Sequence, residues 1–238
     1  MFQKRFYSYS TKKRNHYKFN LKTFLFVIIF NPISLASYSE IHLIISGSGT
    51  QYVIYSRFSP IPSEIYVEGT KKAANSRKCI LERGTNNISI RFNVQIVSCE
   101  NMFKNLRNIT KIDLSDFDTS KVSNMNSMFY GCKNLEFIYF GNIDTSSVKN
   151  MTLLFFSCSK LTSIDISNFN FSSLVDMTKL FQRCTKLTSV DFSSFDTSKV
   201  TSMEWIFESC SNLEKVVFGN INTSSLVKLT GLFCNCYN

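Results

Sequence analysis

Residues 109–132 read ITKIDLSDFDTSKVSNMNSMFYGC, and residues 187–210 read LTSVDFSSFDTSKVTSMEWIFESC. The two stretches match column by column and lie three periods of 26 residues apart. Cys132, Cys158, Cys184, Cys210 and Cys236 follow that period, and so do Phe103, Phe129, Phe155, Phe181, Phe207 and Phe233. Val122, Val148, Leu174, Val200 and Leu226 form a third column, and Met125, Met151, Met177, Met203 and Leu229 a fourth. Ile96, Cys99, Met102 and Phe103 extend the series one period towards the N-terminus. A fixed period in the range of 20–50 residues is the signature of a stacked repeat architecture.

Each unit divides into two patterns. The first, L-x-x-[IV]-x-[LIF], as in Leu187, Val190 and Phe192, ends with a period of two and β-branched residues, and predicts a short strand. The second, V-x-x-M-x-x-[ML]-F, as in Val122, Met125, Met128 and Phe129, places apolar residues at i, i+3, i+6 and i+7 and predicts a short helix. Asp118-Thr119-Ser120 and Asp196-Thr197-Ser198 precede such stripes and supply N-cap oxygens on that reading. A strand and a helix per unit cannot bury their apolar faces alone, but stacked units can. The expected fold class is therefore α/β: a leucine-rich-repeat solenoid of parallel strands and short helices over residues 96–238.

The repeat unit resembles the BspA-type leucine-rich repeat, and the 26-residue repeats of mycoplasma surface lipoproteins and protist surface proteins. The resemblance covers residues 96–238. It implies a non-enzymatic protein, secreted or attached to the cell surface, that binds a protein or glycoprotein on a host, matrix or neighbouring cell. No lipobox cysteine follows the N-terminal apolar run, so the lipoprotein anchor of the bacterial members is not implied.

The N-terminal 36 residues differ. Lys4, Arg5, Lys12, Lys13, Arg14, Lys18 and Lys22 precede an apolar run, Phe24 to Phe30, with no acid before Glu40. Ser34 and Ala36 then offer a small-residue exit. This is the layout of a secretory signal peptide, with an uncleaved signal anchor or a mitochondrial presequence as alternatives. The whole chain carries 27 basic and 17 acidic residues, a formal net charge of +10. Loss of residues 1–36 leaves 20 basic residues against 17 acidic, or +3, and no basic block on which nucleic acid would dock. Membrane contact is then expected only through the N-terminal segment.

Residues 37–95 have the texture of a β-rich cap on the first repeat. Runs 40–45 and 51–55 flank Gly47-Ser48-Gly49-Thr50, which predicts a hairpin turn. Residues 64–67 and 87–92 predict further strands.

Catalytic chemistry has few candidates. Beyond residue 36, His42 is the sole histidine, and the common nucleophile and metalloprotease motifs are missing. No cofactor is expected. The five cysteines of the ladder are read as buried thiols, as disulfides between neighbouring units, or as metal ligands. Cys79 and Cys99 form the best placed single bridge. Five N-x-[ST] sequons occur, at Asn87, Asn108, Asn150, Asn170 and Asn222, and become glycan sites on a eukaryotic secretory route.

The open, concave sheet face is the expected recognition surface. Its outward columns contain Lys111, Phe137 and Lys215, and Asp113, Tyr139, Asp165, Asp191 and Val217. Phe137, Tyr139 and Val217 interrupt a Ser/Asp pattern, and exposed aromatics on a repeat surface suit protein recognition. The aspartate column is either solvated or in contact with a ligand or cation. A self-associating coat or scaffold, assembling through the uncapped C-terminal coil, is the alternative function.

Overall fold

The computed structural model describes residues 39–237. The signal-peptide reading falls on residues 1–36 and lies outside them.

Among the described residues there are eight strands. They are β1 (Ser39–Tyr52), β2 (Glu64–Val67), β3 (Thr70–Ala74), β4 (Lys78–Phe92), β5 (Ile109–Asp113), β6 (Phe137–Tyr139), β7 (Ser189–Asp191) and β8 (Lys215–Val217). The first six form one sheet in the order β3-β2-β4-β1-β5-β6, and β7 pairs with β8. β1 to β5 pair antiparallel, whereas β5–β6 and β7–β8 pair parallel. The alternation of Ile41, Leu43 and Ile45 with Glu40, His42 and Ile44 sends the first set into the core and leaves the second half-exposed.

The α/β expectation is overturned: among the described residues there is no helix. A leucine-rich-repeat solenoid with a helix in each unit is therefore replaced by mixed β structure, with turn-rich segments where the helices were expected. The physical reason lies in the backbone of the V-x-x-M-x-x-[ML]-F segment. Two residues four apart in each repeat have φ near +60°: Asn101 and Asn105, Ser127 and Gly131, Leu153 and Ser157, Lys179 and Arg183, Trp205 and Ser209. An α-helix needs negative φ throughout. The amide groups then divide between two destinations. Met125, Ser127, Phe129 and Gly131 donate to the carbonyls of Asn150, Thr152, Leu154 and Phe156 in the next repeat, at 2.7–3.0 Å. Met128, Tyr130 and Cys132 donate three residues back, to Met125, Ser127 and Phe129. A helix would spend every one of these donors internally and leave none to join repeats.

Parallel bridges run through the same register: Ser98 to Asn124, then Asn150, Asp176, Ser202 and Lys228, one per repeat. The Phe column is the core of the stack. Successive rings from Phe103 to Phe233 lie 5.3–5.8 Å apart and within 8° of parallel, and those from Phe103 to Phe207 are fully buried. The cysteine column lies beside it. Cys158 donates its thiol to the Phe129 carbonyl at 3.2 Å, and Cys132, Cys184, Cys210 and Cys236 make the same bond to Phe103, Phe155, Phe181 and Phe207.

The expected N-caps also have another role. Asp118 Oδ1 accepts from the Ser120 N–H and hydroxyl, a two-residue turn that starts no helix. The Thr between them is buried and joins repeats: Thr145 Oγ donates to the Asn170 carbonyl at 2.9 Å and accepts from the Asn170 N–H at 2.7 Å. Thr197 does the same with Asn222.

The predicted hairpin turn at residues 47–50 is corrected as well. β1 runs straight through it opposite β4, with a register shift between Gly47 and Gly49. The positive φ of both glycines is taken up in this bulge, so the strand bends and does not reverse.

The turn aspartates make stability sensitive to acid. The Ser120 and Ser146 hydroxyls, seconded by the backbone N–H of the same residues, hold the Asp118 and Asp144 carboxyls below their ordinary range. A carboxyl with a depressed folded-state value contributes stability above the usual carboxylate range and loses it as pH falls through that depressed value. The thermal midpoint is therefore expected to fall below about pH 4. Asp118→Asn plus Asp144→Asn, which keeps the turn acceptor, is expected to flatten that fall in a melting series from pH 7 to pH 2.

Candidate binding face

The eight residues expected on the recognition surface fall in two adjacent columns. Lys111 and Asp113 are on β5, Phe137 and Tyr139 on β6, Asp191 on β7, and Lys215 and Val217 on β8. Lys111 lies opposite Phe137 and Asp113 opposite Tyr139. Ser189 lies opposite Lys215 and Asp191 opposite Val217. Asp165 sits between these two ladders in a segment that pairs with neither. Tyr139 is 53% exposed, and Phe137 is half-buried. The aspartates are anchored alike: Oδ1 of Asp113, Asp165 and Asp191 accepts the N–H of Ser115, Ser167 and Ser193 at 2.8–3.0 Å. The Ser193 hydroxyl and N–H, with Lys215 as the smallest contribution, also lower the Asp191 carboxyl.

Sequence reasoning missed that this face continues onto the N-terminal strands. His42 on β1 lies opposite Asp113 on β5 and opposite Ser89 on β4, and Ser89 lies opposite Tyr66 on β2. One row therefore runs Tyr66, Ser89, His42, Asp113, Tyr139 across five strands. A second row pairs Glu64, Arg91 and Glu40, with Arg91 Nε 2.9 Å from Glu40 Oε2 and its guanidinium 4.5 Å from the Tyr66 ring centre. The period-two alternation of residues 40–45 carried this signal, because it marks Glu40, His42 and Ile44 as one face.

His42 has a serine and a carboxylate beside it: Nδ1 is 2.7 Å from Ser89 Oγ, and Nε2 is 3.6 Å from Asp116 Oδ2. Ser89 lies on β4, a strand paired on both edges. Among the described residues no group of three or more His, Cys, Asp or Glu side chains is arranged to hold a metal. No helix among them is long and apolar enough to cross a membrane.

The sequon asparagines are placed as follows. Asn87 is exposed on β4, with its side chain on Glu68, and exposed Asn108 reaches Gln51. Asn150, Asn170 and Asn222 each accept, through Oδ1, the N–H of the Thr or Ser two residues on. Asp118 and Asp176 do so at equivalent positions of other repeats. The N-x-[ST] spacing is thus what an asparagine version of the inter-strand turn produces.

All eight cysteines are unbridged. Cys79 on β4 and Cys99 in the first repeat are both buried, and burial pushes the Cys79 thiol up to about 11 and the Cys99 thiol higher still. Burial likewise raises Cys132 and Cys210 to about 12. Cys234 is exposed and Cys236 partly so. Titration of native protein with an aromatic disulfide reagent is expected to modify Cys234 at once and Cys236 slowly, and the other six only after denaturant. A Cys79–Cys99 bridge would appear as two thiols missing from the denatured total.

Consecutive repeats in a 26-residue register, joined by backbone hydrogen bonds, define a tandem-repeat protein with an open β face. The chain belongs to the family described as "Mycoplasma protein of unknown function, DUF285", whose pattern matches residues 97–216 and again 188–238. Among solved structures, the Treponema pallidum leucine-rich-repeat protein (T. pallidum, TpLRR) is similar at 16% identity over 61% of this chain and 73% of that one, with a TM-score of 0.38. No curated protein sequence matches.

Proposed function

We propose that this chain is a non-enzymatic, BspA-like repeat protein, secreted or displayed at the cell surface, that binds a protein or glycoprotein through its open sheet face. The observation that carries the reading is that Phe137 and Tyr139 share the outward face of β6, each within a column that also holds charged residues, Lys111 and Lys215 in the first and Asp113, Asp165 and Asp191 in the second. An aromatic centre with a charged rim is the composition of a binding hot spot. Binding is expected to be contact along a rigid surface, without turnover. The test is a panel of immobilised matrix and cell-surface proteins probed with the native chain and with Phe137→Ala plus Tyr139→Ala. A ligand held by the native chain and released at least tenfold more readily by the variant supports the reading. Full retention by the variant overturns the placement. N-terminal sequencing of the native protein with its cell fraction tests the location: a start near Ser37 outside the cell supports secretion, and an intact Met1 in the cytosol removes it.

A further inference from the structure

The binding face has a centre, and its chemistry is specific. Tyr139 is its most exposed aromatic, at 53%. It stands between two carboxylates of the same column, with Asp113 directly opposite in the ladder and Asp165 one repeat further on. Paired strands lie about 5 Å apart, which places the backbone of Asp113 beside that of Tyr139. Among the described residues neither carboxylate forms an ion pair, in contrast to Glu40 and Glu64, whose charges are met by Arg91 and Lys71. In both aspartates Oδ1 is occupied by the following serine, at 2.7 Å from its hydroxyl, and this holds the carboxylate in place. The sheet is also interrupted here. β6 is the edge of the six-stranded sheet, and residues 163–165 join no ladder, so Tyr139 borders a break in the backbone pairing.

We propose that Asp113, Tyr139 and Asp165 form a docking site for an arginine-bearing extended segment of a partner protein. The proposal rests on the face being a binding surface and names what it binds. A guanidinium is flat, stacks on an aromatic face and pairs with carboxylates in its own plane. A tyrosine ring with a carboxylate on either side offers both contacts together. Lysine supplies charge without the stacking plane and is expected to bind more weakly.

The experiment is calorimetric titration of the full chain with blocked tetra-arginine, tetra-lysine and tetra-glutamate peptides at low salt. The variants are Asp113→Asn plus Asp165→Asn, Tyr139→Ala and Tyr139→Phe. Asparagine retains the turn acceptor, as Asn170 and Asn222 do in their own turns, and each variant's fold is checked by its melting curve. Saturable binding of tetra-arginine is expected, stronger than tetra-lysine, with no binding of tetra-glutamate. The double asparagine variant and Tyr139→Ala are each expected to weaken it at least tenfold, and Tyr139→Phe to restore it. No binding of tetra-arginine to the native chain, or undiminished binding in the asparagine variant, overturns the proposal. If tetra-arginine fails while Phe137→Ala plus Tyr139→Ala still releases a panel ligand, the binding face stands and only its arginine specificity falls.

Discussion

Phe155→Ala is expected to lower the unfolding free energy by about 3–5 kcal/mol, read from chemical denaturation with an unchanged slope. Phe155 is 1% exposed, and its ring lies between Phe129 at 5.4 Å and Phe181 at 5.3 Å, with Phe140 edge-on at 6.4 Å. Truncation removes the transfer free energy of the ring and leaves a void in the middle of the column. The void cannot close by a shift of one side, because the backbones above and below are fixed by bonds such as Phe129 N–H to Leu154 carbonyl and Phe155 N–H to Leu180 carbonyl. Phe233→Ala is the internal comparison. It is 44% exposed and covered on one face by Phe207, so the same truncation is expected to cost less than half as much.

Gly141→Val is the second large effect. Gly141 has φ of 57° and follows β6, where the chain turns away from the sheet. A Cβ there would stand 2.6 Å from Ser115 Cα and 2.8 Å from Ser115 Cβ in the preceding repeat. The first of these is backbone and has no rotamer by which to move aside. Non-glycine residues tolerate positive φ elsewhere in the stack, as at Leu153 and Trp205, so the clash and not the dihedral sets the cost. A β-branched side chain adds to both. A loss of about 3 kcal/mol or more is expected, whereas Gly49→Ala, whose Cβ meets nothing within 4 Å, is expected to cost about 1 kcal/mol from its backbone alone. Comparable losses at the two sites would sink the close-approach argument.

Phe129, Met125 and Val122 show what the sequence could reveal and what it could not. Their 26-residue recurrence marked them as core, and they are buried. Their spacing was read as helical because i, i+3 and i+7 all lie on one face of a helix. The same residues, continued through Cys132, Leu135 and Ile138, keep a step close to three, and the backbone answers with a left-handed residue every turn or so. No apolar pattern reports the sign of φ. Serine, leucine, lysine and tryptophan stand between an asparagine and a glycine in one of the left-handed columns, so composition at that column gave no consistent sign of it. The face was legible in part for a similar reason. Asp113, Tyr139, Asp165 and Asp191 shared a repeat column and could be aligned by counting. His42 and Ser89 belong to no repeat, and only the antiparallel pairing of β1 with β4 and β5 brings them into the row.

The division of amide bonds between a residue's own repeat and the next has a consequence for how such a chain can change. Every second donor in the turn segment is committed to a partner 25 residues ahead. One residue added or removed in a single repeat shifts all of those commitments, the bridge and the Phe column together. A complete copy of one repeat, spliced in at its boundaries, preserves every one of them. Length in this protein is therefore a counted quantity: the stack accepts growth by duplication of whole repeats and resists it by single residues, and the extent of its open sheet face follows the number of copies.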